Sequence, residues 1–119
     1  MKGAKVALLG LAFKEDTDDV RESPAITIAE DFFKAQAKVT AYDKKAVENA
    51  KKILGEKISY ATSVDEALKD ADLAVVATGW KQFATLNVHV MKKKRVLDTR
   101  HVVKKNLLPK DTEYEGLLW

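Results

Sequence analysis

The stretch VALLGLAFKEDTDDVRES, Val6 to Ser23, decides the fold. An apolar run passes through Gly10 into a polar loop, as when a buried strand enters the strand-to-helix turn of an α/β sheet. In a dinucleotide-binding fold that turn carries a G-x-G-x-x-G fingerprint, whose glycines let the backbone approach a pyrophosphate. Counted from Gly10, the fingerprint needs glycine at positions 12 and 15, where this chain has Ala12 and Glu15. The loop holds Phe13, Lys14 and Arg21 among the acids Glu15, Asp16, Asp18, Asp19 and Glu22. Two readings fit such a loop: a solvated turn laced with ion pairs, or a set of side chains offered to a ligand.

Outward from this stretch, apolar spacing switches repeatedly between strand and helix periods, the pattern of βαβ units around a parallel sheet. The first strand spans residues 5–10. Ser23 caps a helix with Pro24 in its first turn, and Ile26, Ala29, Phe33 and Ala37 follow at spacings of three and four. Residues 38–42 form a second strand. Asp43 is placed either to cap the next helix or to act as the ribose-binding acid of a dinucleotide fold, and the missing glycine fingerprint favours the cap. In that helix Val47, Ala50 and Leu54 form the buried stripe, and Gly55 stands where a left-handed C-terminal residue is wanted. A short third strand at 58–61 leads to Ser63-Val64-Asp65-Glu66, a capping box starting a helix through Lys69. Residues 73–77 are an unbroken apolar run, as in a central strand covered on both faces. One or two short helices are expected in 80–93, a fifth strand at 95–98 and an edge strand at 113–117.

Right-handed crossovers reduce this pattern to a three-layer, Rossmann-like open parallel α/β sheet of order 3-2-1-4-5, with a sixth strand beyond the fifth and helices on both faces. Chain order reverses between strands one and four, so the crevice outside their carboxyl ends is the expected ligand site. Phe13-Lys14, Thr78-Gly79-Trp80 and Thr99-Arg100-His101 reach it. Their cations and rings suit a phosphate or diphosphate and a flat base, because rings stack and arginine holds two phosphate oxygens in a planar fork. Trp80 reads equally as a stacking platform and as a lid on the core.

Composition bounds the rest. The 119 residues, 46% hydrophobic and 33% charged, read as one globular domain, 1–119, without linker or repeat. The net charge of +3 is a small excess on a mixed surface, and the run Lys92-Lys93-Lys94-Arg95 reads as a solvated helix end, so no nucleic-acid partner is expected. There is no cysteine, hence no disulfide framework, thiolate metal site or thiol nucleophile in the chain. His89 and His101 are singletons without metal-ligand spacing, and no metal is expected. No export signal or membrane span is apparent, which makes the cytoplasm the expected compartment.

LGLAFKEDTDDVRESPAI, then AYD after strand two, ATGWKQF after strand four and LDTR at strand five, together resemble the C-terminal domain of the UDP-glucose/GDP-mannose dehydrogenase family over nearly the whole chain. The resemblance implies a piece of a larger, homo-oligomeric enzyme with an N-terminal NAD-binding domain and a central helical region bearing a catalytic cysteine. Such enzymes oxidise the C6 hydroxyl of a UDP- or GDP-linked hexose to a carboxylate with NAD as cofactor, through a thioester. It further implies that Phe13, Lys14, Arg100 and Trp80 meet the UDP-sugar and that Arg21 reaches NAD held mainly by the N-terminal domain. Asp18, Asp19 and Glu22 would then hold the neighbouring cations in place. Around the strand-five arginine the family commonly has glycine and then asparagine or arginine, where this chain has Thr99 and His101. No residue of the chain is assigned a catalytic role, and the chain alone is expected to be inactive. A free-standing nucleotide-binding or regulatory module without redox activity is the alternative.

Overall fold

Strand β1, Lys5–Leu9, has apolar side chains on both faces and therefore lies inside the sheet. In the computed structural model, which describes residues 2–14, 17–21 and 23–116, it is flanked by β2, Lys38–Tyr42, and β4, Leu73–Val76. The sheet is completed by β3, Ser59–Tyr60, beside β2, and by β5, Arg95–Asp98, and β6, Glu113–Gly116, beyond β4. Every pairing is parallel and the order is β3-β2-β1-β4-β5-β6, as the sequence pattern predicts. Leu117 of the expected edge strand lies outside the described residues.

Alternation along β1 divides the core into two layers. Val6 and Leu8 pack with helix α1, Pro24–Lys34, and helix α2, Val47–Leu54. Ala7 and Leu9 pack on the other face with helix α3, Val64–Leu68, and with Trp80 and Phe83. The caps follow the sequence signals. Ser23 Oγ accepts the Ala25 N–H at 3.2 Å, with Pro24 at the first helical position, and the same hydroxyl donates to the Leu11 carbonyl at 2.8 Å. One side chain thus both starts α1 and ties it to the turn after β1. Ser63 Oγ accepts the Glu66 N–H at 3.0 Å, while Glu66 reaches back to the Thr62 N–H at 2.9 Å. Gly55 ends α2 with φ +54.

Some sequence expectations are corrected. Phe33 does not face the core: it is 45% exposed and lies under the Lys57 ammonium at 5.9 Å. Helix α1 buries Ala25, Ile26 and Ala29 and stops at Lys34, so Phe32, not Phe33, leans onto the core at the last turn. Ala37 is buried, but by the chain entering β2. Segment 80–93 does form two short helices, as expected, but both are single 3-10 turns, Lys81–Phe83 and Val88–Val90. The run Lys92 to Arg95 therefore does not end an α-helix. Lys92 and Lys93 donate their backbone N–H groups to the Ala71 carbonyl, Lys94 pairs with Asp111 at 3.0 Å, and Arg95 pairs with Glu113 at 3.3 Å.

Candidate functional site

At the end of β1 the chain passes another backbone too closely for any side chain. Gly10 has φ +106, and a Cβ there would lie 2.4 Å from Thr78 Oγ1 and 2.6 Å from the Thr78 backbone nitrogen. The approach lets the Thr78 hydroxyl donate to the Ala12 carbonyl at 2.8 Å, joining the turns after β1 and β4 where chain order reverses.

Asp43, at the end of β2, closes this turn from behind. The residue is 3% exposed. Oδ2 accepts the N–H groups of Leu11 at 2.8 Å and Ala12 at 3.0 Å and the indole N–H of Trp80 at 3.0 Å. Oδ1 accepts the N–H groups of Lys45 and Ala46, each at 2.8 Å. The capping role expected of Asp43 is present on Oδ1, in the turn that leads into α2; the contacts on Oδ2 are what the sequence reading missed. The amides of Leu11 and Ala12, which a glycine-rich turn would offer to a pyrophosphate, are committed to a carboxylate of the chain itself. Together with the buried Ala12 this turn does not fit the diphosphate of NAD.

The outer side of the turn carries the exposed Phe13 and Lys14. Phe13 donates its N–H to the Asp19 carbonyl at 2.6 Å and its carbonyl accepts from Arg100 Nη2 at 3.2 Å, so its backbone is fully engaged while its ring is 43% exposed. Arg100, beyond β5, also donates Nε–H to the Ala77 carbonyl at 3.2 Å. One guanidinium thereby spans the ends of β1, β4 and β5, and among the described residues its remaining N–H groups are uncommitted. Lys14 is exposed next to Phe13. Arg100 and Phe13 are thus brought together, with Lys14 next in the chain.

Trp80 stands apart from them. At 3% exposure, with its N–H on Asp43 and the Lys44 ammonium 5.8 Å from its ring, it is a lid on the core. Its face is not open for stacking, because the hydrogen bond to Asp43 draws the indole inward. Arg21 is mostly exposed and is held by Asp19 in a two-pronged contact, Nε to Oδ1 and Nη2 to Oδ2, both at 3.1 Å. These hydrogen bonds, with a further one from the Arg21 backbone N–H, hold the Asp19 carboxyl below its ordinary range. The carbonyl of Asp18 accepts from Asn49 Nδ2 at 2.9 Å, and Glu22 lies outside the described residues. His89 and His101 are exposed, and no group of potential metal ligands occurs among the described residues. Among them, too, no helix is long and apolar enough to cross a membrane.

The family is now identifiable. Residues 7–105 match the UDP binding domain of the UDP-glucose/GDP-mannose dehydrogenase family, and the chain belongs to that family. It is 40% identical to UDP-glucose 6-dehydrogenase AglM of Haloferax volcanii over 99% of this chain and 27% of that protein. It is 38% identical to a UDP-glucose 6-dehydrogenase of Rhizobium meliloti over 92% of this chain and 26% of the relative. The structure of a UDP-glucose dehydrogenase from Pyrobaculum islandicum superposes with a TM-score of 0.87 at 34% identity, covering all of this chain and 26% of that one. The chain thus spans about a quarter of the length of the relatives it matches.

Proposed function

We propose that this chain is the UDP-sugar-binding domain of an NAD-dependent nucleotide-sugar 6-dehydrogenase, which oxidises UDP-glucose or a related UDP- or GDP-hexose to the uronic acid. The single observation that carries the site is Arg100, whose guanidinium ties Phe13 to Ala77 at the point where chain order reverses. Lys14 and the open N–H groups of Arg100 hold the diphosphate, and the half-exposed ring of Phe13 lies against the nucleotide. Trp80 contributes from behind, through Asp43, by fixing the turn that carries Phe13 and Lys14. Arg21, set by Asp19, supplies one charged contact to NAD bound mainly by the N-terminal domain. The partners are that domain and the central region of the same enzyme, which is a cytoplasmic homo-oligomer.

Calorimetry with UDP and GDP on the 119-residue chain tests the site. Weak binding of UDP is expected. Lys14→Ala and Arg100→Ala should each weaken it by about 1 to 3 kcal/mol, the scale for removing a hydrogen bond to a charged group. An affinity unchanged in both variants would refute the assignment.

Redox activity is a separate matter. A thioester needs a thiol, and the chain has no cysteine. Mixed with UDP-glucose and NAD, it should give no NADH absorbance. In an enzyme that includes the NAD-binding and central portions, Arg21→Ala should raise the apparent KM for NAD more than that for the sugar nucleotide. Turnover by the 119-residue chain alone would contradict this division of labour, and a selective sugar-nucleotide defect in Arg21→Ala would move that residue to the substrate side.

A further inference from the structure

Arg100 is oriented from the edge of the sheet. Asp98, the last residue of β5, is completely buried, and its carboxylate joins three chain segments. Oδ1 accepts the Arg100 N–H at 3.1 Å; Oδ2 accepts the Val103 N–H at 2.8 Å and the Tyr114 hydroxyl at 3.0 Å. Tyr114 lies on β6 opposite Val96, and among the described residues β6 has no neighbouring strand beyond it. Burial, with smaller parts from the bond to Asp98 and from its charge, holds the phenol above the ordinary tyrosine range. Two residues further on, β6 again fits the turn: a Cβ on Gly116 would lie 2.9 Å from His101 Cε1 and 3.2 Å from the Tyr114 hydroxyl. His101 itself takes the left-handed φ of +55 that lets the chain turn between Arg100 and Val103.

We infer that Tyr114 is a positioning residue for the nucleotide site, acting through Asp98 on Arg100; this rests on the function proposed above. A carboxylate bonded only to two backbone amides retains freedom to swing about its terminal torsion. The phenol fixes Oδ2, which leaves Oδ1 aimed at the Arg100 amide and the guanidinium directed to Ala77 and Phe13. A side chain already held in its bound geometry loses less rotamer freedom when a diphosphate arrives.

The test is Tyr114→Phe, which keeps the ring packed and removes only the hydroxyl. Calorimetry should show UDP affinity falling about three- to tenfold, the range for one hydrogen bond acting on the site. In the Arg100→Ala background the same change should alter affinity by less than about twofold, because its effect passes through the missing side chain. Without ligand, NMR should show faster hydrogen exchange at Arg100 Nε–H in Tyr114→Phe than in the wild type. Wild-type exchange in that variant overturns the inference whatever UDP does, and so does an affinity loss that adds in full to that of Arg100→Ala. If UDP fails to bind the wild-type chain, the proposed function falls, and the exchange measurement alone still decides the role of Tyr114.

Discussion

Gly10→Ala is expected to destabilise the chain by about 3 kcal/mol or more, combining a backbone conformation that side chains rarely adopt with overpacking of a closed core. The new methyl would sit 2.4 Å from Thr78 Oγ1, 2.5 Å from Thr78 Cβ and 2.6 Å from its backbone nitrogen. No rotamer of Thr78 relieves a clash with its own backbone nitrogen, so β1 and β4 must separate at the end where the proposed ligand site lies. A fall in Tm of about 10 °C or more follows for a domain of this size. Gly55→Ala is the internal control. Gly55 also has positive φ, at +54, but a Cβ there would meet nothing within 4 Å, so only the backbone term applies and about 1 kcal/mol is expected. Equal losses in thermal unfolding of the two variants would show that close approach is not what requires Gly10.

The second large effect is expected at Asp43. Asp43→Ala removes the acceptor of the N–H groups of Leu11, Ala12, Lys45 and Ala46 and of the Trp80 indole, most of them buried. Leaving even some of these donors unpaired costs about 3 kcal/mol or more, since one buried orphan donor costs about 1 to 3. Urea unfolding checks the loss. The same variant should bind UDP more weakly than its residual fold would suggest, because Leu11 and Ala12 lead directly into Phe13 and Lys14. Asp43→Asn should fall between, as it keeps one oxygen acceptor while presenting an amide to donors on the other side. An alanine variant of wild-type stability would show that water replaces the carboxylate at little cost and that Asp43 does not organise the turn.

Much of the fold was legible because parallel strands buried on both faces leave unbroken apolar runs, and because Ser23-Pro24 and Ser63-Glu66 mark helix starts chemically. The candidate site was legible in part for the same reason: once the order reverses between β1 and β4, residues just beyond β1, β4 and β5 must converge, and Phe13 and Arg100 do. What sequence spacing could not carry was any contact set by register between distant segments. Asp43 meets Leu11 across 32 positions and Trp80 across 37, and reading it as a cap or a ribose-binding acid assigned it one role where its two oxygens serve several donors. Tyr114 meets Asp98 only because β6 pairs with β5 in the observed register. Phe33 was misread because a spacing of four fits the buried stripe of a continuing helix, and α1 ends one residue later.

A nucleoside diphosphate is expected to occupy the crevice bounded by Phe13, Lys14 and Arg100. Backbone amide chemical-shift mapping during a UDP titration of the 119-residue chain tests it most directly, since it reports location as well as binding. The largest perturbations are predicted at Phe13, Lys14, Gly79, Arg100 and His101, and they should diminish in Arg100→Ala. Perturbations confined to the basin lined by Lys105, Leu108, Lys110 and Tyr114, or none at millimolar UDP, would contradict the account.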